Sequence, residues 1–171
     1  MPQAKQYFGK YRGFVLNNVD PLETGRLMVQ VPDVSNVLPS TWATPCLPYA
    51  GIQSGMYVVP EIGSTVWIEF EQGNPDYPIW VGCFWGSVAD VPALALAAPP
   101  GVPQLVIQTP LQNSLLISDL PGPTGGILLK TTTGAMISIS DTGIIISNGQ
   151  GATIAMTGPA VTINEGALEI I

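Results

Sequence analysis

The sequence predicts an all-β chain in two parts: a small closed barrel, then a ladder of short strands that buries one face by self-association. Three observations carry this. Residues 1–88 hold five short apolar or alternating segments separated by clusters of Gly, Pro, Asn and Asp. Glycine then recurs at 134, 143, 151, 158 and 166, with β-branched runs such as MISIS, IIIS, TIAM and VTI between the glycines. Charged residues make up only 10% of the chain against 46% hydrophobic. Disorder needs the opposite balance, so the chain is ordered, and so few charges imply that partners cover much of its surface.

Taken in order, Tyr11 to Leu16 is the first strand, and NNVDPLETG is a loop of turn formers. In Arg26 to Val31 the alternation places Leu27, Val29 and Val31 on one face. PDVSNVLPST reads as a loop. Trp42 to Leu47 is a third strand, which its neighbouring prolines suggest lies at an edge. A Gly-containing connection leads into Thr65 to Glu71, the strongest strand, with Val66, Ile68 and Phe70 on one side and Trp67, Glu69 and Glu71 on the other. EQGNPDYP is a turn, and Ile79 to Trp85 closes the set. Five strands closing on themselves at this length predict a Greek-key barrel of the OB kind over residues 1–88. Residues 89–104 shift to Ala and Pro and read as a semi-rigid linker. Strand character resumes at Leu105 to Thr109 and Leu115 to Ser118, and residues 105–171 form the second part.

Within the ladder, Ile137 and Ile139, Ile154 and Met156, and Val161 and Ile163 each stand three and five residues after a glycine. Period-two spacing puts them on one face, together with Ile146, Leu168 and Ile170, while Ser138, Ala155 and Thr162 point the other way. Exposed apolar strand rows are normally closed off. No helical pattern nearby offers a cover, so three copies wrapped about one axis, as a trimeric β-helix or β-prism, are the expected closure. A monomeric antiparallel sheet is the alternative.

The residue inventory excludes most site chemistry. There is no His, which removes the commonest general base, and Cys46 and Cys83 are too few and too far apart in sequence for a zinc constellation. The two thiols read as reduced core residues, with a disulfide conceivable if their strands are neighbours. Glu69 and Glu71 are a carboxylate pair on one strand face, which reads as solvated surface. Asp119 and Asp141 sit beside turns. No Ser or Thr has an activating His or adjacent Lys, and no phosphate-binding glycine loop is present. No metal, cofactor or catalytic residue is therefore expected, and the chain reads as a non-enzyme. A net charge of −7 disfavours nucleic acid and anionic membranes. Trp42, Trp67, Trp80 and Trp85 with Lys5, Lys10, Arg12 and Arg26 could form a small binding face, but an acidic protein partner fits the inventory better. No apolar run reaches membrane-spanning length. MPQAKQYFGKYRG lacks a signal-peptide core, so assembly in the cytoplasm is expected.

Together, KYRGFVLNNVDPLETGRLMVQVPDV, WATPCLPYAG and PEIGSTVWIEFEQGNPDYPIWVGCFWG resemble the OB domain of the baseplate protein V and VgrG spike family of contractile phage tails and related injection systems. SLLISDLPGPTGGILLKTTTGAMISISDTGIIISNGQGATIAMTG is similar to the start of that family's trimeric β-helix. The resemblance implies a homotrimer whose barrels sit on a hub, with a needle pointing towards the target membrane and commonly capped by a PAAR-type tip protein. It would turn Lys5, Lys10, Arg12 and Arg26 towards the hub, and would make Glu169, Ile170 and Ile171 the rim that a tip protein caps. The chain departs from larger family members in carrying no hub or effector domain and no His-based iron site. Separate hub and tip polypeptides are the expectation. A receptor-binding fibre or adhesin and a cell-wall-degrading tail enzyme are the alternatives.

Overall fold

A computed structural model of the protein describes residues 5–170. The chain divides into two compact units with the break between Gly86 and Ser87. The first is a closed five-stranded barrel. Its strands are β1 (Tyr11–Asn17), β2 (Leu27–Gln30), β3 (Pro39–Pro45), β6 (Thr65–Phe70) and β7 (Pro78–Cys83), and the two-residue strands β4 (Ala50–Gly51) and β5 (Ser54–Gly55) form a separate hairpin. Around the barrel the order is β1-β2-β3-β7-β6, with β6 pairing back antiparallel to β1 and β3 running parallel to β7. This is the Greek-key closure of an OB barrel.

The inward alternation explains the core. Val15, Leu27, Val29, Val31, Val66, Ile68 and Phe70 are buried, and Trp80 joins them with its indole N–H donating to the Gly25 carbonyl at 3.0 Å. A buried Trp needs that acceptor. Here the acceptor belongs to the β1–β2 loop, so the core residue also pins the loop. Asp20 organises the same loop. Its carboxylate accepts from the backbone N–H groups of Leu22 (3.0 Å), Thr24 (2.9 Å) and Arg26 (3.2 Å), and from the Arg26 guanidinium at 3.0 and 2.6 Å. The Arg26 guanidinium, followed by the loop amides, holds the Asp20 carboxyl well below the usual carboxylate range, against the opposing effect of desolvation.

Three expectations change in the barrel. The segment after β2 is not all loop, because Pro32–Ser35 forms a single helical turn, α1, with proline at its start where no N–H is needed. β3 is not an edge strand. The barrel closes through it, although its seam with β7 is only two residue pairs, Thr44↔Ile79 and Pro45↔Trp80. The thiols are not in the core either. Cys46 lies just past the end of β3, and Cys83 lies beyond a bulge that breaks the β6–β7 register between Trp67 and Ile68. Both are exposed and free, and partial desolvation raises the Cys83 pKa above its ordinary value.

The second unit is one eight-stranded sheet. Its strands are β8 (Gln104–Gln108), β9 (Ser114–Ser118), β10 (Gly126–Lys130), β11 (Met136–Ser140), β12 (Gly143–Ser147), β13 (Thr153–Thr157), β14 (Ala160–Ile163) and β15 (Leu168–Ile170), each antiparallel to the next in sequence. Glycine marks strand starts for a steric reason. A Cβ at Gly126 would stand 2.0 Å from the Ile139 carbonyl oxygen, and one at Gly143 would stand 2.3 Å from that of Met156. Residues 89–104, expected as a linker, belong to this unit. Successive i→i+3 turns (Ala95 N–H to Pro92, Leu96 to Ala93, Ala97 to Leu94) bring Leu94, Ala97 and Ala98 over the sheet beside Leu116 and Leu128. The stretch is proline-rich but also apolar, and that apolar side is what the sheet takes up.

Two outcomes test the barrel. Ile68→Ala should cost about 2–5 kcal/mol in denaturant unfolding, the range for deleting a buried Ile to Ala. Asp20→Asn should lower the melting midpoint of the barrel near neutral pH. Because the folded pKa of Asp20 is depressed, its stabilisation is present above the unfolded value of about 4 and is lost as pH falls below it. The gap between wild type and variant in circular-dichroism melts should therefore shrink as the pH is lowered through that value. A gap that stays constant into acid would rule the coupling out.

Candidate functional site

The register of the eight-stranded sheet aligns its apolar residues into two unbroken rows on one face. The first runs Leu105, Ile117, Ile127, Ile139, Ile144, Met156, Val161 and Ile170, each the direct partner of the next. The second runs Ile107, Leu115, Leu129, Ile137, Ile146, Ile154, Ile163 and Leu168. Antiparallel pairing of period-two strands puts directly paired side chains on one face. A slip of one residue would replace them with Ser, Thr and Ala, so the composition of the strands locks the register.

These rows remain exposed in the single chain. Between 38% and 57% of the surface of Ile154, Ile137, Ile139, Leu129 and Ile107 stays accessible, although each is flanked by apolar neighbours along its row. The opposite face is different in kind. Over β8–β10 it is covered, with Leu116 only 4% exposed beneath the Ala/Pro segment. Further along, Met136 and Ile145 line the same cavity as Leu94, Ala97 and Ala98, and the rest of the face carries Ser138, Ser147, Thr153, Ala155 and Thr162, which tolerate water. One face therefore needs no partner, and the other is an apolar surface far beyond the scattered exposed hydrophobics of a monomer.

Every core residue expected from the sequence falls in these rows: Ile137, Ile139, Ile146, Ile154, Met156, Val161, Ile163 and Leu168, with Ile170 placed there by backbone register. The side chains of Glu169 and Ile170, and Ile171 as a whole, lie outside the described residues. Sequence reading missed Leu105, Ile107, Leu115, Ile117, Ile127, Leu129 and Ile144. In β8, β9, β10 and β12 the middle residue is apolar as well (Val106, Leu116, Leu128, Ile145), which erases the alternation. The flanking Gln–Gln and Ser–Ser pairs of QLVIQ and SLLIS were the remaining signal.

The four basic residues of the first unit each have a neighbour within reach. Lys10 pairs with Glu69, and Arg26 is spent on Asp20 while lying over the Trp42 ring. Arg12 lies over Trp67 and Phe84, and Lys5 over Tyr7. Lys5, Lys10 and Arg12 are exposed, whereas the Arg26 side chain is largely occupied by Asp20. Asp141 accepts from the Gly122 amide at 3.2 Å and so ties two turns together. Among the described residues no group of three His, Cys, Asp or Glu side chains is placed to hold a metal ion, and no helix is long and apolar enough to cross a membrane.

A closed OB barrel followed by a sheet with one uncovered apolar face defines a class: structural, self-associating proteins. Comparison with protein families agrees. Residues 11–85 match the type VI secretion system/phage-baseplate injector OB domain, and residues 104–169 match the phage baseplate V C-terminal trimerisation domain. The chain belongs to the phage baseplate V family of spike-type structural components. No curated protein matches it.

The rows predict a face-specific effect of charge. Ile139→Asp would place carboxylates in the shared core, where each unpaired ion costs several kcal/mol, and should leave a monomer in light scattering. Thr153→Lys, on the opposite face, should remain trimeric. Equal behaviour of the two variants would refute the assignment of faces.

Proposed function

We propose that this chain is the central spike of a contractile injection apparatus: a non-enzymatic homotrimer that joins a separate hub protein to a tip protein and helps to puncture the target membrane. The observation that carries the proposal is the pair of apolar rows, which span all eight strands within the segment matching a trimerisation domain. Three such faces turned inward make a narrow rod with a dry core, and their burial stabilises it at about 25 cal/mol per Å² of apolar surface removed from water. Such a rod carries an axial load without a hinge. In this reading the contracting sheath does the work and the spike transmits it.

The finer partners follow from the ends of each unit. β15 is the outer strand of its sheet, paired on one side only, to β14. Its free edge and the Glu169, Ile170 and Ile171 segment suit a capping tip protein of the PAAR type. Of the basic residues offered to a hub, Lys5, Lys10 and Arg12 remain on the barrel surface.

The purified chain should have a solution mass three times the 18.0 kDa of one chain, and the assembly should resist SDS until boiled. A stable single-chain mass would remove the physical basis of the spike. In the parent particle, a chain lacking residues 105–171 should leave sheathed tubes that contract without permeabilising target cells. Undiminished permeabilisation would refute the puncturing role.

A further inference from the structure

The barrel unit carries a second apolar surface, and the strand rows do not account for it. From Val34 to Pro60 the chain contains no Asp, Glu, Lys or Arg. Most of the excursion between β3 and β6 lies in this stretch. It is an ordered hairpin, since β4 pairs with β5, the Met56 N–H donates to the Tyr49 carbonyl at 3.0 Å, and the Tyr49 hydroxyl meets Ser54 Oγ at 2.9 Å. Its base is tied to the β1–β2 loop, with Asn18 Nδ2 donating to the Pro60 carbonyl at 3.0 Å and Tyr57 and Val59 lying against Gly25. On this rigid support Ile52 is 97% exposed, and Tyr49, Met56, Tyr57 and Val58 are exposed as well. The loop to which it is tied adds exposed Val19 and Leu22. An ordered hairpin presenting aromatic and aliphatic side chains to water is the mark of an interaction surface.

We infer that this hairpin is a contact between copies of the chain, each barrel's hairpin packing on a neighbouring copy in the trimer. The inference rests on the trimer proposed above and goes beyond it, because the trimerisation match covers only residues 104–169. Two physical reasons select a second copy as the occupant. A trimer built by the second unit carries three barrels, so a further barrel–barrel contact forms at the high effective concentration of an intramolecular event. The chain also carries a net charge of −7, so copies repel each other over most of their surface. The uncharged hairpin is where they can approach without that penalty. Around a threefold axis the contact is head-to-tail and closes into a ring.

The test uses the full chain with photoreactive benzoylphenylalanine in place of Ile52, and its mass is first checked by light scattering. Irradiation should yield covalent dimers and trimers that survive boiling in SDS. Ile52→Asp combined with Val58→Ser changes only exposed side chains and spares the contacts at the hairpin base. It should leave the trimer mass intact while amide exchange across residues 46–60 speeds up by about tenfold or more. A trimer that gives no crosslinks and shows unchanged exchange would overturn the inference and assign the hairpin to a different protein. A single-chain mass would overturn the trimer itself, which separates the two failures.

Discussion

The second unit is governed by one constraint: an apolar face two residues wide and eight strands long that stays accessible in the single chain. Water cannot be left against such a surface at low cost. Strand length, register and turn chemistry all serve to keep it continuous. Five-residue strands such as β11 place two side chains on that face and three on the other. Up-and-down pairing aligns the inward pairs without interruption, and glycine at strand starts lets adjacent backbones approach where a Cβ would strike a carbonyl. A sheet built this way is completed by other copies of itself, and that is why trimerisation and fold are one property of this segment.

The opposite face shows the same logic applied locally. Over β8–β10 it is apolar and is covered by the Ala/Pro segment of the same chain. Beyond β10, Met136 and Ile145 still line the cavity under that segment, and from β13 onward the face turns to Ser, Thr and Ala. The segment thus caps the first strands of the ladder, a place where a repeat has a neighbour on one side only. It also explains why β8, β9, β10 and β12 have apolar residues at three consecutive positions, the middle residues of the last three, Leu116, Leu128 and Ile145, lining the cavity under the segment.

The barrel holds together differently. Its core is a conventional set of inward Val, Leu, Ile and Phe, but its closure relies on few pairs, with β3 and β7 meeting over only two residues. The β1–β2 loop compensates. Asp20 gathers the loop amides and Arg26, and Trp80 reaches from the core to the Gly25 carbonyl. A charged residue that a sequence reader would assign to a partner is here an internal brace. This is also why composition alone could not locate a hub-facing patch.

The sequence by itself determined the all-β class, the barrel strands with their inward residues, and one half of the apolar face. Period-two alternation and glycine spacing are local properties written directly in the order of residues. Ile137, Ile139 and Ile154 were legible because Ser, Ala and Thr separate or flank them. Only the tertiary structure decided the rest. It added Leu105 to Leu129 and Ile144 to the rows, since the segment just before β8 folds back over the sheet and takes up the apolar residues of the other face. It moved the Ala/Pro stretch from linker to cap, placed Cys46 past the end of β3 and Cys83 outward beyond a bulge, and gave Lys5, Lys10, Arg12 and Arg26 local partners. Such outcomes depend on which segments meet in space, and residue order specifies that only through the fold as a whole.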